Sequence, residues 1–159
     1  MTFWGAITGG LLGTAMLSTT LRAASELQLT RIDLPFLLGS AFSARRTAAK
    51  ALGWALHLVA GLLFALIYFM VFSVVGSSGW LLGALLGLTH GLFIAVVLVS
   101  VVLPFVHPRM GKPWTAADST PLLEPPGFLM LNYGRSTPLV TLAAHGLYGA
   151  IVGGVIALS

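Results

Sequence analysis

The stretch "LTHGLFIAVVLVSVVLPFVH", residues 88–107, decides the fold of this chain. It contains no Asp, Glu, Lys or Arg, and a helix of about 20 such residues is long enough to cross the hydrocarbon core of a bilayer. A continuous apolar run predicts a transmembrane helix, because the strands of a membrane barrel alternate apolar and polar residues. His90 is the exception in this run, and an ionisable side chain inside a membrane span is a candidate for function.

The composition of the whole chain points to the same environment. Of its 159 residues, 57% are hydrophobic and 8% are charged, whereas a soluble domain has about 25% charged residues. We therefore predict an integral membrane protein. The net charge of +4 comes from a few basic residues beside the apolar runs, so these residues indicate topology and no nucleic-acid partner is expected. The absence of cysteine excludes disulfides, thiolate metal sites and iron–sulfur clusters.

Four apolar runs reach the spanning length, and we predict an all-α fold, an integral membrane four-helix bundle that forms one domain over residues 1–159. The predicted helices cover about 3–21, 51–75, 80–106 and 138–158. All eight basic and all four acidic residues lie in the two long loops, 22–50 and 107–137. The positive-inside rule places both loops in the cytoplasm and both termini on the extracytoplasmic side of a multi-pass protein of the cell inner membrane.

Two short patterns recur along the chain and suggest an internal repeat. The sequence "GGLLG" at 9–13 resembles "GALLG" at 83–87, and "LPF" occurs at both 34–36 and 103–105. Each half of the chain would then be a helical hairpin of the same orientation. The pattern is consistent with a parallel 2+2 repeat about an axis along the membrane normal.

Glycines at helical spacing predict how the helices pack. Lipid chains are as apolar as leucine, so helices in a membrane associate mainly where small residues let their backbones approach closely. Eight positions are predicted to serve helix packing: Gly9, Gly13, Gly61, Gly83, Gly87, Gly91, Gly149 and Gly153. The main interpretation is packing within the bundle, and the alternative is contact with a second copy or a partner subunit.

Three histidines are predicted to point into the bundle, because each shares a helix face with glycine or tyrosine. They are His57, His90 and His145. At about 1.5 Å per residue, His57 and His145 each lie roughly 10 Å from the cytoplasmic boundary, with His90 nearer the midplane. Hydrogen bonding between helices is the expected role, and the alternatives are cofactor binding, to haem or a metal ion, and proton handling. No cofactor is predicted outright.

The sequence "HPRMG" at 107–111 places an imidazole and a guanidinium where the third span ends. Basic residues at such a boundary anchor a helix by reaching the lipid headgroups, and a cluster of them binds an anionic headgroup or a phosphate. The residues predicted to contact lipid or an anion are Arg45, Arg46, His107, Arg109, Lys112 and Arg135.

Several short motifs are distributed along the chain. They are "GT.M" at 13–16, "IDLPFLLG" at 32–39, "H...G..FA..Y" at 57–68, "MG" at 110–111 and "H..YG...G" at 145–153, with Gly83, Gly87 and Pro104 in the third span. In these motifs the chain resembles a family of small four-span bacterial membrane proteins known only as a domain of unknown function. The resemblance implies four transmembrane helices and brings no activity with it.

No catalytic motif of the nucleophile-elbow, P-loop, dinucleotide or zinc-protease type is present. The leading prediction is therefore a non-enzymatic accessory, structural or assembly subunit of a larger membrane complex. Its expected partners are membrane lipids and either other membrane subunits or a second copy of the chain. The alternative is a histidine-based protein that binds haem or a metal ion or handles protons. A small transporter or channel comes third, because the predicted spans contain no charged residue to select an ion.

Overall fold

The computed structural model describes residues 1–111 and 122–159, and over these ranges the regular structure is helical. The all-α class is therefore confirmed. The elements are α1 (Phe3–Glu26), α2 (Leu34–Gly39), α3 (Arg46–Val75), α4 (Trp80–Val106), a 3-10 segment (Phe128–Tyr133) and α5 (Thr137–Ala157).

Within the described ranges, three helices are long and apolar enough to cross a membrane: α3, α4 and α5, whose mean hydropathies are 2.7, 2.4 and 1.8. The membrane character predicted from the composition is consistent with these helices. The remaining long helix, α1, has 24 residues. Its apolar residues are interspersed with glycine, serine and threonine, which keeps its hydropathy below that of the other three.

Two helices are longer than the apolar runs predicted. Helix α1 continues five residues beyond 21 to Glu26, and α3 begins five residues before 51, at Arg46. The hydropathy of a run marks the part that lipid can surround, whereas backbone hydrogen bonding continues into polar residues. In the added turn of α1, Arg22 and Glu26 form an ion pair of 2.9 Å at the i,i+4 spacing that supports a helix.

Close packing between the long helices runs through glycine. A Cβ atom added at Gly83 of α4 would collide with the backbone of Gly149 in α5, and one added at Gly149 would collide with that of Gly83. In the same way, Gly13 of α1 lies against Tyr148 of α5, and Gly61 of α3 lies against Thr14 of α1. All eight glycines singled out from the sequence lie at contacts between helices: Gly9, Gly13, Gly61, Gly83, Gly87, Gly91, Gly149 and Gly153.

The two long loops meet at one end of the bundle, which we call the loop end. Thr30 and Thr137 share a buried hydrogen bond of 2.8 Å, and the Arg31 N–H donates to the Tyr133 carbonyl at 2.7 Å. At the opposite end, which we call the terminal end, the Thr2 N–H donates to the Ser159 hydroxyl at 3.2 Å. Helices α1 and α5 therefore run antiparallel along their whole lengths.

Helix α2 folds back onto α3 at the loop end. Asp33 caps it by accepting the Phe36 N–H at 3.2 Å. The approach to α3 is so close that an added Cβ at Gly39 would collide with the Ala49 carbonyl, and one at Gly53 with the Pro35 carbonyl. The apolar part of the first loop is covered in this way by the helix that follows it.

The second half of α4 is a π-helix, from Ile94 to Val102. Its wider turns follow from two local causes. The Ser100 hydroxyl donates to the Ala95 carbonyl at 2.6 Å, five residues back, and Pro104 has no N–H to continue an α-helical pattern. Such π segments occur frequently at functional sites, and four of the residues in this one line the cavity described next.

Candidate functional site

A cavity of about 290 Å³ lies between α1, α3, α4 and α5, and we call it the inner cavity. Its volume is close to the lower end of the range for small-molecule sites, which is about 300–1,000 Å³. Aliphatic side chains form most of its wall, and they come mainly from α1, α2 and α4. The polar residues on the wall are Thr14, His57, His90, Thr141, His145 and Tyr148. A mainly apolar wall with a few convergent polar groups is the usual design of such sites.

The ring of His90 is held by two residues of α3. It stacks on Phe64, with ring centroids 3.7 Å apart, and its Nδ1 lies 3.3 Å from the Tyr68 hydroxyl. These are the principal contacts between α3 and α4, whose backbones scarcely approach each other. Side chains rather than backbones therefore bridge these two helices.

His145 is oriented by its own helix. Its Nδ1 lies 2.8 Å from the Thr141 carbonyl, which can only accept, so Nδ1 carries the proton. In a neutral imidazole the Nε2 atom is then a hydrogen-bond acceptor. The ring meets that of His90 edge to face, with centroids 4.9 Å apart.

The rings of His90 and His145 lie at similar depths in the bundle, since they are in contact. Counted from the terminal end, His90 is ten residues from Trp80 and His145 is twelve residues from Ala157. At about 1.5 Å per residue, these two counts differ by about 3 Å. That His90 lies nearer the midplane than His145 stays a prediction.

A second cavity, of about 260 Å³, adjoins the first at the loop end, and we call it the outer cavity. Its wall is more polar and includes Arg22 and Glu26 of α1, Asp33, and Lys50 and Trp54 of α3. The two cavities have four wall residues in common: Leu21, Ile32, Leu34 and His57. The polar cavity and the apolar one therefore adjoin at these four side chains.

Four side-chain polar atoms in the described ranges are buried without a hydrogen-bond partner: Ser18 Oγ, His57 Nε2, His90 Nε2 and Thr141 Oγ1. Every one of them belongs to a residue that lines one of the two cavities. A buried polar group left unpaired costs about 1–3 kcal/mol. A molecule that fills the cavities and offers hydrogen-bonding groups of its own would recover this free energy.

Toward the terminal end, aromatic rings fill the bundle beyond the inner cavity. Tyr68 and Phe72 are 3% and 0% exposed. The Tyr148 hydroxyl donates to the Gly61 carbonyl at 2.5 Å and ties α5 to α3. The inner cavity therefore extends from the loop end to this aromatic layer.

His107 has protein partners in place of the headgroup or phosphate predicted for it. Its side chain is buried, its Nε2 donates to the Leu37 carbonyl at 3.0 Å, and its Nδ1 accepts the Arg109 N–H at 3.2 Å. Burial lowers the pKa of His107 below 6.5, which outweighs the opposing effect of the bond to Leu37. The Arg109 guanidinium donates to the Ser40 carbonyl at 2.7 Å, so this pair joins the second loop to α2.

The other basic residues predicted to contact lipid or an anion are distributed over the surface of the loop end. Arg45, Arg46 and Arg135 are exposed, and the Arg46 guanidinium lies 5.2 Å from the ring centre of Phe36. Lys112 lies outside the described residues. The contacts of these residues with lipid stay a prediction.

Metal chemistry has little support from the geometry. Over residues 1–111 and 122–159, no three His, Asp or Glu side chains group together in a way that could hold a metal ion. The His90 and His145 rings are in direct contact, so no plane is left between them for a haem. The arrangement is suited to hydrogen bonding with a ligand.

Sequence reasoning missed the outer cavity and the hydroxyls of Ser18 and Thr141. The sequence did contain one signal for the outer cavity: Lys50, Trp54 and His57 follow the i, i+4, i+7 pattern of a single helix face. The pattern joins an ionic, an aromatic and a buried polar residue along α3. It does not show that α1 supplies the facing wall.

Comparison with known proteins adds no relative to this description. No protein-family model, no curated protein and no solved structure matches the chain. The resemblance to a four-span bacterial family therefore stays a prediction. The function has to be inferred from the cavities themselves.

Proposed function

We propose that α1 is a fourth membrane span, so that the chain crosses the bacterial inner membrane four times with both loops in the cytoplasm. Its 24 residues give a helix of about 36 Å, and it packs antiparallel along α5, which is itself apolar enough to span. The basic residues all lie in the segments 22–50 and 107–137, which favours the cytoplasm for the loop end. Labelling of single cysteines introduced at Thr2 and Ser43, which lie on either side of α1, tests this. If α1 spans the membrane, a label applied from one side should reach only one of them, and if it does not, the label should reach both or neither.

We propose that the protein binds a membrane-soluble small molecule in the inner cavity, without catalysing a reaction. The observation that carries the proposal is that His57, His90 and Thr141 all line one apolar cavity, and that each has a buried side-chain atom without a hydrogen-bond partner. The surrounding aliphatic wall would take up an apolar body. The three polar atoms and the His145 Nε2 acceptor would pair with its polar groups.

Two matched substitutions on α3, each of an alanine by phenylalanine, test this proposal. Ala60 lines the inner cavity, whereas Ala55 is exposed and lines neither cavity. Ala60→Phe fills part of the cavity and should release a molecule that co-purifies with the wild-type protein in mild detergent, as detected by native mass spectrometry. Ala55→Phe should retain it. Wild-type protein that carries no small molecule, from cells or from nanodiscs, would overturn the proposal.

The role of accessory or assembly subunit is the second candidate. It is favoured by α3, whose most apolar 18-residue window is only 17% buried within this chain, against 50% for α5. A partner subunit would cover the outward face of α3. Photo-crosslinking from Leu63, which is 56% exposed on α3, should then capture one partner in defined stoichiometry, whereas the same probe at Leu139, 70% exposed on α5, should not.

A further inference from the structure

We propose that the ligand is a phospholipid with a zwitterionic, primary-amine headgroup, held with its headgroup in the outer cavity and one acyl chain in the inner cavity. This rests on the proposed ligand-binding function and adds to it the chemical class of the ligand. Three features carry it: the contact between the cavities, the charges of the outer one, and the polar atoms where they meet.

The two cavities have the polarity sequence of an amphiphile. The outer one lies at the loop end among charged residues, and the inner one runs from there into the apolar interior. They meet at Leu21, Ile32, Leu34 and His57. A molecule that occupies both must have a polar end and an apolar end, which is the design of a membrane lipid.

The charges around the outer cavity are balanced. It is lined by two cations, Arg22 and Lys50, and two carboxylates, Glu26 and Asp33. They form two ion pairs, Arg22–Glu26 at 2.9 Å and Lys50–Asp33 at 2.7 Å, which are substantially exposed. Exposed pairs of this kind contribute little to stability, so a headgroup can replace them at little cost.

The balance specifies the headgroup. A phosphate would pair with Arg22 and Lys50, and an ammonium group would pair with Glu26 and Asp33. A primary ammonium donates hydrogen bonds to both carboxylates, whereas a trimethylammonium has no N–H to donate. Phosphatidylethanolamine meets these requirements, and phosphatidylglycerol and phosphatidylcholine each lack one of them.

Two unpaired polar atoms lie where the ester groups of such a lipid would be. Ser18 lines the outer cavity and His57 lines both cavities, and the buried atoms without a partner are Ser18 Oγ and His57 Nε2. The carbonyl oxygens that join the headgroup to the chains accept hydrogen bonds, and a hydroxyl or imidazole N–H can donate them. Trp54 at the outer cavity is the residue type that sits at the headgroup level of a bilayer.

Nanodiscs that contain equal parts of phosphatidylethanolamine, phosphatidylglycerol and phosphatidylcholine test the proposal. Native mass spectrometry of the released protein should show phosphatidylethanolamine bound severalfold above its share of the bilayer. The double variant Arg22→Gln/Lys50→Gln should lose this enrichment. Arg31→Gln removes one exposed charge that lines neither cavity and should leave the enrichment unchanged.

The outcomes distinguish a failure of the headgroup assignment from a failure of the proposed ligand-binding function. Enrichment of phosphatidylglycerol, or enrichment that survives the double variant, overturns the headgroup assignment. If Ala60→Phe still releases bound lipid in that case, the ligand-binding function stands without it. If neither the double variant nor Ala60→Phe changes the bound lipid, both proposals fail. Circular dichroism of each variant shows that the helices are intact.

Discussion

Helices α4 and α5 approach each other until the backbones of Gly83 and Gly149 touch, whereas α3 and α4 are held apart by the stacked rings of Phe64 and His90. Yet α3 and α4 are joined by a short turn, and α4 and α5 are separated by a long loop. Closeness along the chain therefore does not decide which helices pack closely. The residues that face the neighbour decide it, because glycine admits a backbone and an aromatic ring excludes one.

The same difference in packing distinguishes the region without a cavity from the region that contains one. The glycine contact between α4 and α5 leaves no space for a ligand, whereas the inner cavity lies where α3 and α4 are apart, with α1 and α5 completing its wall. The buried histidines also differ in their hydrogen bonding. His57 and His90 each have an unpaired nitrogen on a cavity wall, whereas both nitrogens of His107 are bonded.

The largest effect is expected from Gly83→Ala, which disrupts the backbone-to-backbone contact between α4 and α5. The added Cβ collides with backbone atoms of α5, which cannot move aside as a side chain would, and overpacking of this kind costs about 1–3 kcal/mol or more. Gly154→Ala is the control, since its added Cβ meets only the Trp80 Cβ at 3.8 Å. Thermal unfolding in detergent should show a clear loss for the first variant and none for the second.

The second expected effect contrasts two buried histidines. His107→Leu removes one of two side-chain donors to the Leu37 carbonyl, which also accepts the Ser40 hydroxyl, and it leaves the Arg109 N–H without its acceptor. The loss should cost about 1–3 kcal/mol of unfolding free energy. His57→Leu removes an unpaired buried nitrogen, so the ligand-free protein should be as stable as the wild type or more so. Equal losses from the two substitutions would contradict the distinction between a paired and an unpaired imidazole.

The third effect is a dependence on pH at the loop end. Burial lowers the pKa of His107 in the folded protein below 6.5, its ordinary value in an unfolded chain. At a pH between the lowered pKa and 6.5, the unfolded chain therefore binds a proton that the folded protein does not. The contribution of His107 to stability is therefore fully present above about pH 6.5 and is lost as the pH falls toward its lowered value. Unfolding curves from pH 7.5 to 5 should show a steeper loss for the wild type than for His107→Gln. Parallel curves would show that His107 carries none of the acid sensitivity.

The smallest effect is expected from Lys50→Gln. It removes the exposed ion pair with Asp33, and such pairs contribute about 0–1 kcal/mol. Asp33 keeps its role as the cap of α2, because it uses its other oxygen for the Phe36 N–H. Stability should therefore be almost unchanged. A large loss would show that the pair supports the fold, which would argue against its replacement by a headgroup.

Hydropathy located the long helices well because the apolar character of a span is a local property of the chain. The run around His90 is helical in the structure, and the three most apolar runs are long enough to cross a membrane. Helix ends were less accurate, since hydrogen bonding continues past the apolar residues to Glu26 and back to Arg46. The π segment of α4 was not predicted from the sequence. It depends on the bond from the Ser100 hydroxyl to the Ala95 carbonyl and on the missing N–H of Pro104, and the first of these is visible only in the folded helix.

The candidate site was predictable only in part. The sequence indicated that His57, His90 and His145 point inward, since each has a small or aromatic residue on its own helix face. It did not indicate that the rings of His90 and His145 are in contact, or that the hydroxyls of Ser18 and Thr141 are unpaired. Those facts depend on the axial offset between helices, and residues far apart in the chain set that offset.

The amino-acid sequence by itself determined that the chain is all-helical and apolar enough for a membrane, because charge and hydropathy are properties of each residue in turn. Only the tertiary structure decided which helices touch, where the two cavities lie and which buried polar atoms are left without partners. The physical reason is that packing is a pairwise property. A glycine admits a neighbouring backbone, and a histidine lacks a hydrogen-bond partner, only with respect to the helix that the fold places beside it.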